Sequence, residues 1–312
     1  MRAASPTRPG RAEAGPATCA NVFLIGAQKA GTTYLASLLG QHPEICVSDP
    51  KEPQFFTSRF DEDGARALYA RSFARPEARV RIDASTTYSF LRPVAERGVP
   101  DAPGIDAPVP ERVRDACPEA RILYVLRDPV ERAASSLLHR ARTDPALTGE
   151  VSLIQAMRDD PMMALIGRYG DQVERWLEVF ARDRVLLLDF ADLHTDLGAL
   201  LGRIGAFLDL DLSTLDPARA EVDRHAGGMT LTPLGRLMRT HGGGFREAAR
   251  AILPPGLRVG LRDRLLSRPS GLRLTGHAEA AALFADDLDK LEALTGMRSA
   301  TAYAPKGRDA AS

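Results

Sequence analysis

The segment Gly26-Ala-Gln-Lys-Ala-Gly-Thr-Thr33 carries the residue types of an anion-binding loop. It follows a short apolar run and precedes apolar residues at helical spacing, so loop N–H groups and a helix N-terminus would face one ligand. Its glycines have the spacing of the G-x-x-x-x-G-K-[ST] loop, but Thr32 stands where that pattern needs lysine. The lysine of this segment, Lys29, lies inside the loop and would therefore reach a ligand group that is closer to the loop itself. A plain strand-to-helix turn capped by threonine is the alternative interpretation.

A second basic residue follows another apolar run. Arg127 comes directly after the run 122–126, and Ser135 lies eight residues further on, in a segment whose Pro129 suits the first turn of a helix. Ligands of open α/β sheets bind beyond the carboxyl ends of the strands, so Arg127 and the Gly26 loop are predicted to share one edge. Ser135 would reach the same anion if its helix passes alongside the site.

Several polar residues near these segments have structural interpretations. Arg127 could instead form a surface ion pair with Asp128 or Glu131, and that is the interpretation we prefer for Arg132. His42 follows the first predicted helix. We expect it to cap or shape the turn rather than to act as a base, because polar residues commonly occupy helix ends.

The elements that would position these residues alternate along the chain. Strands are predicted over 21–26, 80–82, 121–126 and 184–188, and helices over 33–39, 65–72, 129–143, 169–180, 197–208, 257–266 and 278–291. This order predicts an α/β fold with a P-loop-like central parallel sheet flanked by helices on both faces. The segment 98–110 is predicted to be a long loop, and the last two helices to cover one edge of the sheet.

Composition excludes several classes of function. The 312 residues include 41 Lys+Arg and 41 Asp+Glu, so the formal net charge of zero argues against nucleic-acid binding by bulk charge. The three cysteines are far apart and give neither a disulfide framework nor zinc-ligand spacing, so a cytoplasmic location is expected. No apolar run is long enough for a membrane span. Residues 1–20 are interpreted as a disordered tail, with a transit peptide as the alternative.

Together the two anion-site segments resemble those of sulfotransferases that use 3′-phosphoadenosine-5′-phosphosulfate (PAPS), of the heparan sulfate and bacterial type. The loop is similar to the family's 5′-phosphosulfate loop, and Arg127 with Ser135 is similar to its 3′-phosphate motif. The resemblance covers roughly residues 21–210. It implies that PAPS is the sulfuryl donor, held by Gln28, Lys29, Ala30, Gly31, Thr32, Thr33, Arg127 and Ser135.

Two further segments resemble the catalytic and substrate parts of that branch. Lys51-Glu-Pro-Gln-Phe-Phe56 is similar to the segment with its catalytic carboxylate, which implies that Glu52 is the base. Asp83-Ala-Ser-Thr-Thr-Tyr88 is similar to a later segment of the substrate cleft. A solvated carboxylate paired with Lys51 is the alternative interpretation of Glu52, and the two phenylalanines are expected in the core.

The resemblance implies direct in-line transfer with no covalent intermediate and no metal. Lys29 would neutralise charge on the oxygen that leaves with the nucleotide, and Glu52 would take the acceptor's proton. The acceptor is expected to be a hydroxyl, with an amine as the less favoured choice, of a carbohydrate, glycolipid or secondary metabolite. Partners are thus a small-molecule or carbohydrate acceptor, without nucleic acid.

The chain departs from that branch at several positions. Ala84 stands where heparan sulfate enzymes commonly carry lysine, and Ala191, with Asp192 next to it, replaces a frequent acidic residue. The segment 224–228 is the one candidate for a basic loop over the nucleotide. These departures make a long anionic polysaccharide the less attractive substrate.

We expect one sulfotransferase domain over 21–300, with a nucleotide-binding core over about 21–210, a helical part over about 216–300 and a flexible end at 301–312.

Two other functions compete with this hypothesis. A magnesium-dependent P-loop kinase would use the apolar run that ends in Asp189 as a Walker B motif, but the missing Walker lysine weighs against it. A non-catalytic nucleotide-binding protein would keep Lys29 and Arg127 and have no use for Glu52. Magnesium dependence and the effect of replacing Glu52 discriminate among the three.

Overall fold

The structure is a computed structural model that describes residues 19–60, 64–90, 108–144, 146–220, 229–231, 267–269 and 271–297. Several predicted features lie outside these residues: most of the N-terminal tail, most of the loop 98–110, the helix 257–266, the basic segment 224–228 and the C-terminal end. Within the described ranges, no helix has the length and apolar character needed to cross a membrane.

The described residues form strands and helices in alternation over most of the chain. The strands are β1 Val22–Gly26, β2 Ile45–Val47, β3 Val80–Asp83, β4 Arg121–Leu126, β5 Glu150–Ser152, β6 Val185–Asp189, β7 Met229–Leu231, β8 Ser267–Pro269 and β9 Arg273–Thr275. The helices are α1 Thr32–Leu39, α2 Ala65–Arg71, α3 Val109–Ala116, α4 Pro129–Arg140, α5 Leu153–Asp159, α6 Pro161–Leu165, α7 Tyr169–Leu177, α8 Asp192–Thr195, α9 Leu197–Leu208, α10 His277–Ala281 and α11 Ala285–Thr295. A π-helical turn spans Phe55–Arg59, and a 3₁₀ turn spans Thr86–Ser89.

The central sheet has five parallel strands in the order β2-β3-β1-β4-β6. Every residue of β1 is buried, and so are five of the six residues of β4. Because neighbouring side chains of a strand point to opposite faces, burial of all of them means that helices cover both faces. The predicted α/β fold with a P-loop-like parallel sheet is therefore confirmed. Since β1 and β4 are adjacent and parallel, the segments that follow them meet at one edge.

Helix α4 begins where the sequence predicts it. Pro129 occupies its first turn, and the Asp128 side chain caps it by accepting the Glu131 N–H at 2.8 Å. The cap makes the chain turn sharply out of β4, so Arg127 stays at the strand end while the helix runs back along the site.

Several elements were not expected. Strand β2 adds an edge to the sheet through only three residues. The C-terminal part contains β9, which pairs with β5, in addition to helices. Helices α10 and α11 pack chiefly on other helices rather than covering a sheet edge: α10 joins an apolar cluster with α4, α5 and α6, and the buried Asp287 of α11 accepts the N–H groups of Gly170 and Asp171 in α7.

Candidate donor and catalytic site

The loop between β1 and α1 has a backbone shaped to present N–H groups. Lys29 has φ +70° and Gly31 has φ +75°, both in the left-handed region. The positive φ favours glycine at position 31, and a Cβ there would lie 2.7 Å from Leu193 Cδ1, so the Leu193 side chain would have to shift. A non-glycine residue in this region is strained, and such strain concentrates at ligand sites. The loop therefore has the geometry of an anion-binding nest.

Arg127 lies directly against this loop. Its Nη1 donates to the Lys29 carbonyl oxygen at 2.9 Å, and its guanidinium stacks 4.7 Å from the Phe190 ring centroid. Burial lowers the pKa of the Arg127 guanidinium, which marks a cation held partly away from water. The ion pair with Glu131 considered from the sequence exists as well, at 3.7 Å, but Glu131 is exposed and contributes little. The two segments that were predicted to bind anions are thus in direct contact.

Helix α4 passes alongside the loop, as the Ser135 hypothesis requires. Lys29 Nζ lies 3.4 Å from His139 Nδ1, across 110 residues of sequence. Ser135 is half-buried and lies one helical turn before His139, on the same face of α4. Sequence reasoning missed His139. Its only signal is the four-residue spacing from Ser135.

Glu52 lies where a base could act, and a lysine joins it to the loop. Its Oε1 accepts from Lys51 Nζ at 2.9 Å and from Thr86 Oγ1 at 3.3 Å. The same ammonium lies 3.5 Å from Thr32 Oγ1 and 3.3 Å from the Ala84 carbonyl oxygen. Lys51 therefore connects three segments: the loop, the Glu52 segment and the cleft segment. The pairing of Glu52 with Lys51 is present, and it holds the carboxylate beside the loop instead of out in solvent.

Other sequence interpretations have clear outcomes. His42 is buried, and its Nδ1 accepts the Glu44 N–H at 3.2 Å, which confirms a turn-forming role. Phe55 and Phe56 are in the core, as expected.

The interpretation of Arg132 as a surface ion pair is wrong. Its side chain is fully buried and donates to the Met163 carbonyl, because the first turns of α4 are enclosed on several sides and also bury Val130 and Ala133. Among the described residues, its Nε and Nη1 have no hydrogen-bond partner.

Asp189, the last residue of β6, and Asp192, just after it, make turn and surface contacts. Asp189 Oδ1 accepts the Ala191 N–H at 2.8 Å, and Asp192 lies 3.5 Å from Arg203 Nη1. In the part of the chain that the structure describes, no group of three or more His, Cys, Asp or Glu side chains could hold a metal ion.

Comparison with known proteins finds similarity to sulfotransferases. The model of the sulfotransferase domain matches residues 105–228, which include Arg127 and Ser135. Residues 105–228 thus match the sulfotransferase domain family. The chain's curated relatives include the bifunctional heparan sulfate N-deacetylase/N-sulfotransferase 1 of Mus musculus, 30% identical over 212 residues, which are 62% of this chain and 22% of the relative. The Caenorhabditis elegans protein of the same description is 28% identical over 204 residues, again 22% of its length. This chain thus spans about a fifth of the relatives that it matches.

A solved structure shares the fold of this chain. The sulfotransferase from Alicyclobacillus acidocaldarius superposes with a TM-score of 0.57 at 24% identity, over 88% of this chain and 95% of that one. At this identity the likeness concerns the fold, and it extends well beyond the five-stranded sheet.

Proposed function

We propose that this domain transfers the sulfuryl group of PAPS to an acceptor hydroxyl by direct in-line displacement. One observation carries the proposal: Arg127 Nη1 donates to the Lys29 carbonyl oxygen at 2.9 Å. The two segments that the family resemblance assigns to opposite ends of the donor are therefore close enough to hold a single nucleotide. A structure that separated them on opposite walls would have been incompatible with this function.

The donor would be held by its two charged ends. The loop N–H groups, with the hydroxyls of Thr32 and Thr33, would bind the 5′-phosphosulfate. Arg127 and Ser135 would bind the 3′-phosphate, since a guanidinium and a hydroxyl are donors that suit phosphate oxygens. The π-stacked, partly buried position of Arg127 keeps its charge directed at the site rather than at solvent.

The proposed transfer step gives a role to each of two lysines and one carboxylate. The acceptor oxygen forms a bond to sulfur while the bond from sulfur to the bridging phosphate oxygen breaks, and that oxygen leaves with the electron pair on adenosine 3′,5′-bisphosphate. Lys29 would stabilise the charge on the leaving oxygen. Glu52 would receive the acceptor's proton. Lys51, in contact with both Glu52 and Thr32, would hold the base next to the donor loop.

An amine acceptor is the second candidate. The relatives at 28–30% identity are described as heparan sulfate N-deacetylase/N-sulfotransferases, and N-sulfation uses an amine. The catalytic groups suit either nucleophile, because both must lose a proton as the bond to sulfur forms.

The test is transfer of ³⁵S from labelled PAPS with matched acceptors. One oligosaccharide carries free glucosamine amines, its partner is fully N-acetylated, and a panel of small alcohols and phenols completes the set. We expect label in at least one acceptor, unchanged by EDTA. Label only in the free-amine oligosaccharide would establish the second candidate. No transfer from PAPS together with magnesium-dependent phosphoryl transfer from ATP would establish the kinase instead.

A further inference from the structure

A buried carboxylate beneath the site has no part in the mechanism described so far. Asp83, the last residue of β3, is fully buried and accepts three side-chain hydroxyls. Tyr69 and Tyr88 donate to its Oδ2 at 2.9 and 2.8 Å, and Ser85 donates to its Oδ1 at 2.6 Å. Removing a carboxylate from water is costly, so a site that buries one and surrounds it with donors calls for a physical reason.

Two of these hydroxyls also accept hydrogen bonds from the backbone that follows Glu52. Ser85 Oγ accepts the Gln54 N–H at 3.1 Å, and the Tyr88 hydroxyl accepts the Phe56 N–H at 3.3 Å. A peptide N–H can only donate, and each hydroxyl has one proton to pass on. Each chain of hydrogen bonds therefore runs in one direction, from the peptide through the hydroxyl to the carboxylate. Asp83 is the terminal acceptor of both chains.

These hydrogen bonds hold the segment 83–88 beside the segment 54–56, next to Glu52, the proposed base. Ser85 and Tyr88 bracket Thr86, and Thr86 donates to Glu52. The segment they bind has an unusual backbone, since Gln54 adopts φ +51° and a π-helical turn starts at the next residue. Such a conformation needs support from its surroundings. The hydrogen-bond chains from Asp83 supply it.

The charge state of the cluster suits this role. Burial is the main cause that raises the pKa of Asp83 to about 6; the three hydroxyl hydrogen bonds lower this pKa, and the nearby Glu52 raises it. A carboxyl with a pKa of about 6 is mostly ionised at neutral pH. Burial also raises the pKa of both tyrosines, which therefore stay protonated donors.

We propose that Asp83 is a positioning residue, which acts through Ser85 and Tyr88 to hold the backbone that carries Glu52 in register with the donor loop. The proposal rests on the proposed function, because it concerns the base of that reaction. Tyr69 provides an internal contrast. Its hydroxyl donates to the same carboxylate oxygen as that of Tyr88, but the structure shows no hydrogen bond from it to the 52–56 segment.

The test compares Tyr88→Phe and Ser85→Ala with the matched control Tyr69→Phe. The first readout needs no acceptor: amide hydrogen exchange at Gln54 and Phe56, resolved by NMR. Loss of one hydrogen bond predicts exchange faster by up to about tenfold at Phe56 in Tyr88→Phe and at Gln54 in Ser85→Ala, with little change in Tyr69→Phe. Exchange that rises equally in Tyr69→Phe, or in none of the three, overturns the proposal.

The second readout is turnover with the acceptor that the wild-type chain sulfates. Displacement of the base predicts that kcat falls by about tenfold to a hundredfold in Tyr88→Phe and Ser85→Ala, while the Kd for adenosine 3′,5′-bisphosphate stays within about twofold. Tyr69→Phe should keep near-normal kcat. Equal losses of kcat in all three variants would overturn the positioning role. An inactive wild-type chain with the predicted exchange pattern would instead count against the proposed function alone.

Discussion

At the scale of single residues, Arg127 provides the sharpest test of how the donor is held. Arg127→Ala removes a charge-assisted contact that only a 3′-phosphate would use, so the Kd for adenosine 3′,5′-bisphosphate should rise about tenfold to a hundredfold. The Kd for AMP, which lacks that phosphate, should change far less. Calorimetry with both ligands measures the difference. Arg114→Ala, at an exposed pair with Asp115, is the control that should alter neither.

Glu52 is the residue that separates an enzyme from a binding protein. Glu52→Gln keeps the shape of the side chain and removes its basicity, so turnover should fall at least a hundredfold while affinity for adenosine 3′,5′-bisphosphate is retained. Steady-state kinetics and calorimetry on the same preparation measure both quantities. Glu44→Gln removes an exposed carboxylate near Arg79 and should leave both unchanged. Normal turnover in Glu52→Gln would eliminate the base assignment.

At the scale of elements, the contact between α11 and α7 depends on one carboxylate. Asp287 is fully buried and accepts two N–H groups at the start of α7, at 2.8 and 2.9 Å. Asp287→Ala should lower the free energy of unfolding by about 2 kcal/mol, because two donors lose their acceptor. Urea titration measures it.

The adjacent Asp286 is the matched control for that variant. Asp286 pairs with Arg168 at 3.1 Å, and the same arginine lies 3.9 Å from Asp287, but the Asp286 side chain is 71% exposed. Exposed ion pairs contribute little, so Asp286→Ala should cost below about 1 kcal/mol. Equal losses in the two variants would show that the buried cap is not what attaches α11.

At the scale of the whole molecule, Asp83 makes global stability depend on pH. Burial raises its pKa from 3.8 to about 6, so the folded state keeps the proton to a higher pH than the unfolded chain. The stability that this carboxyl contributes is therefore full below about pH 3.8 and is lost as the pH rises to about 6. The loss is on the order of 3 kcal/mol.

Asp83→Asn cannot titrate and isolates this contribution. As the pH rises from about 4 to about 7, the free energy of unfolding of the wild type should fall by about 3 kcal/mol relative to that of Asp83→Asn. Urea unfolding of both proteins across that range measures the shift. The charged and titratable neighbours Glu52, Tyr69, Tyr88 and Cys19 are present in both proteins and largely cancel. A difference that is flat with pH would contradict the raised pKa.

Local pattern predicted the elements wherever the pattern was long enough. Strand β4 and helix α9 have the predicted bounds, and β1 differs by one residue, because a continuous apolar run or a helical period specifies each of them. Strand β2 has three residues and exists through pairing with β3, so no local period could reveal it. The same holds for β9, which depends on β5.

The sequence by itself determined the loop chemistry, the Arg127–Ser135 spacing and the α/β architecture, since these depend on residue type and short-range periodicity. Only the tertiary structure decided which groups meet: Lys51 with Thr32, Lys29 with His139, and Asp83, through Ser85, with the backbone after Glu52. It also buried Arg132. The physical reason is that such contacts follow from the strand order β2-β3-β1-β4-β6, which brings distant segments to one edge and is set by packing of the whole chain.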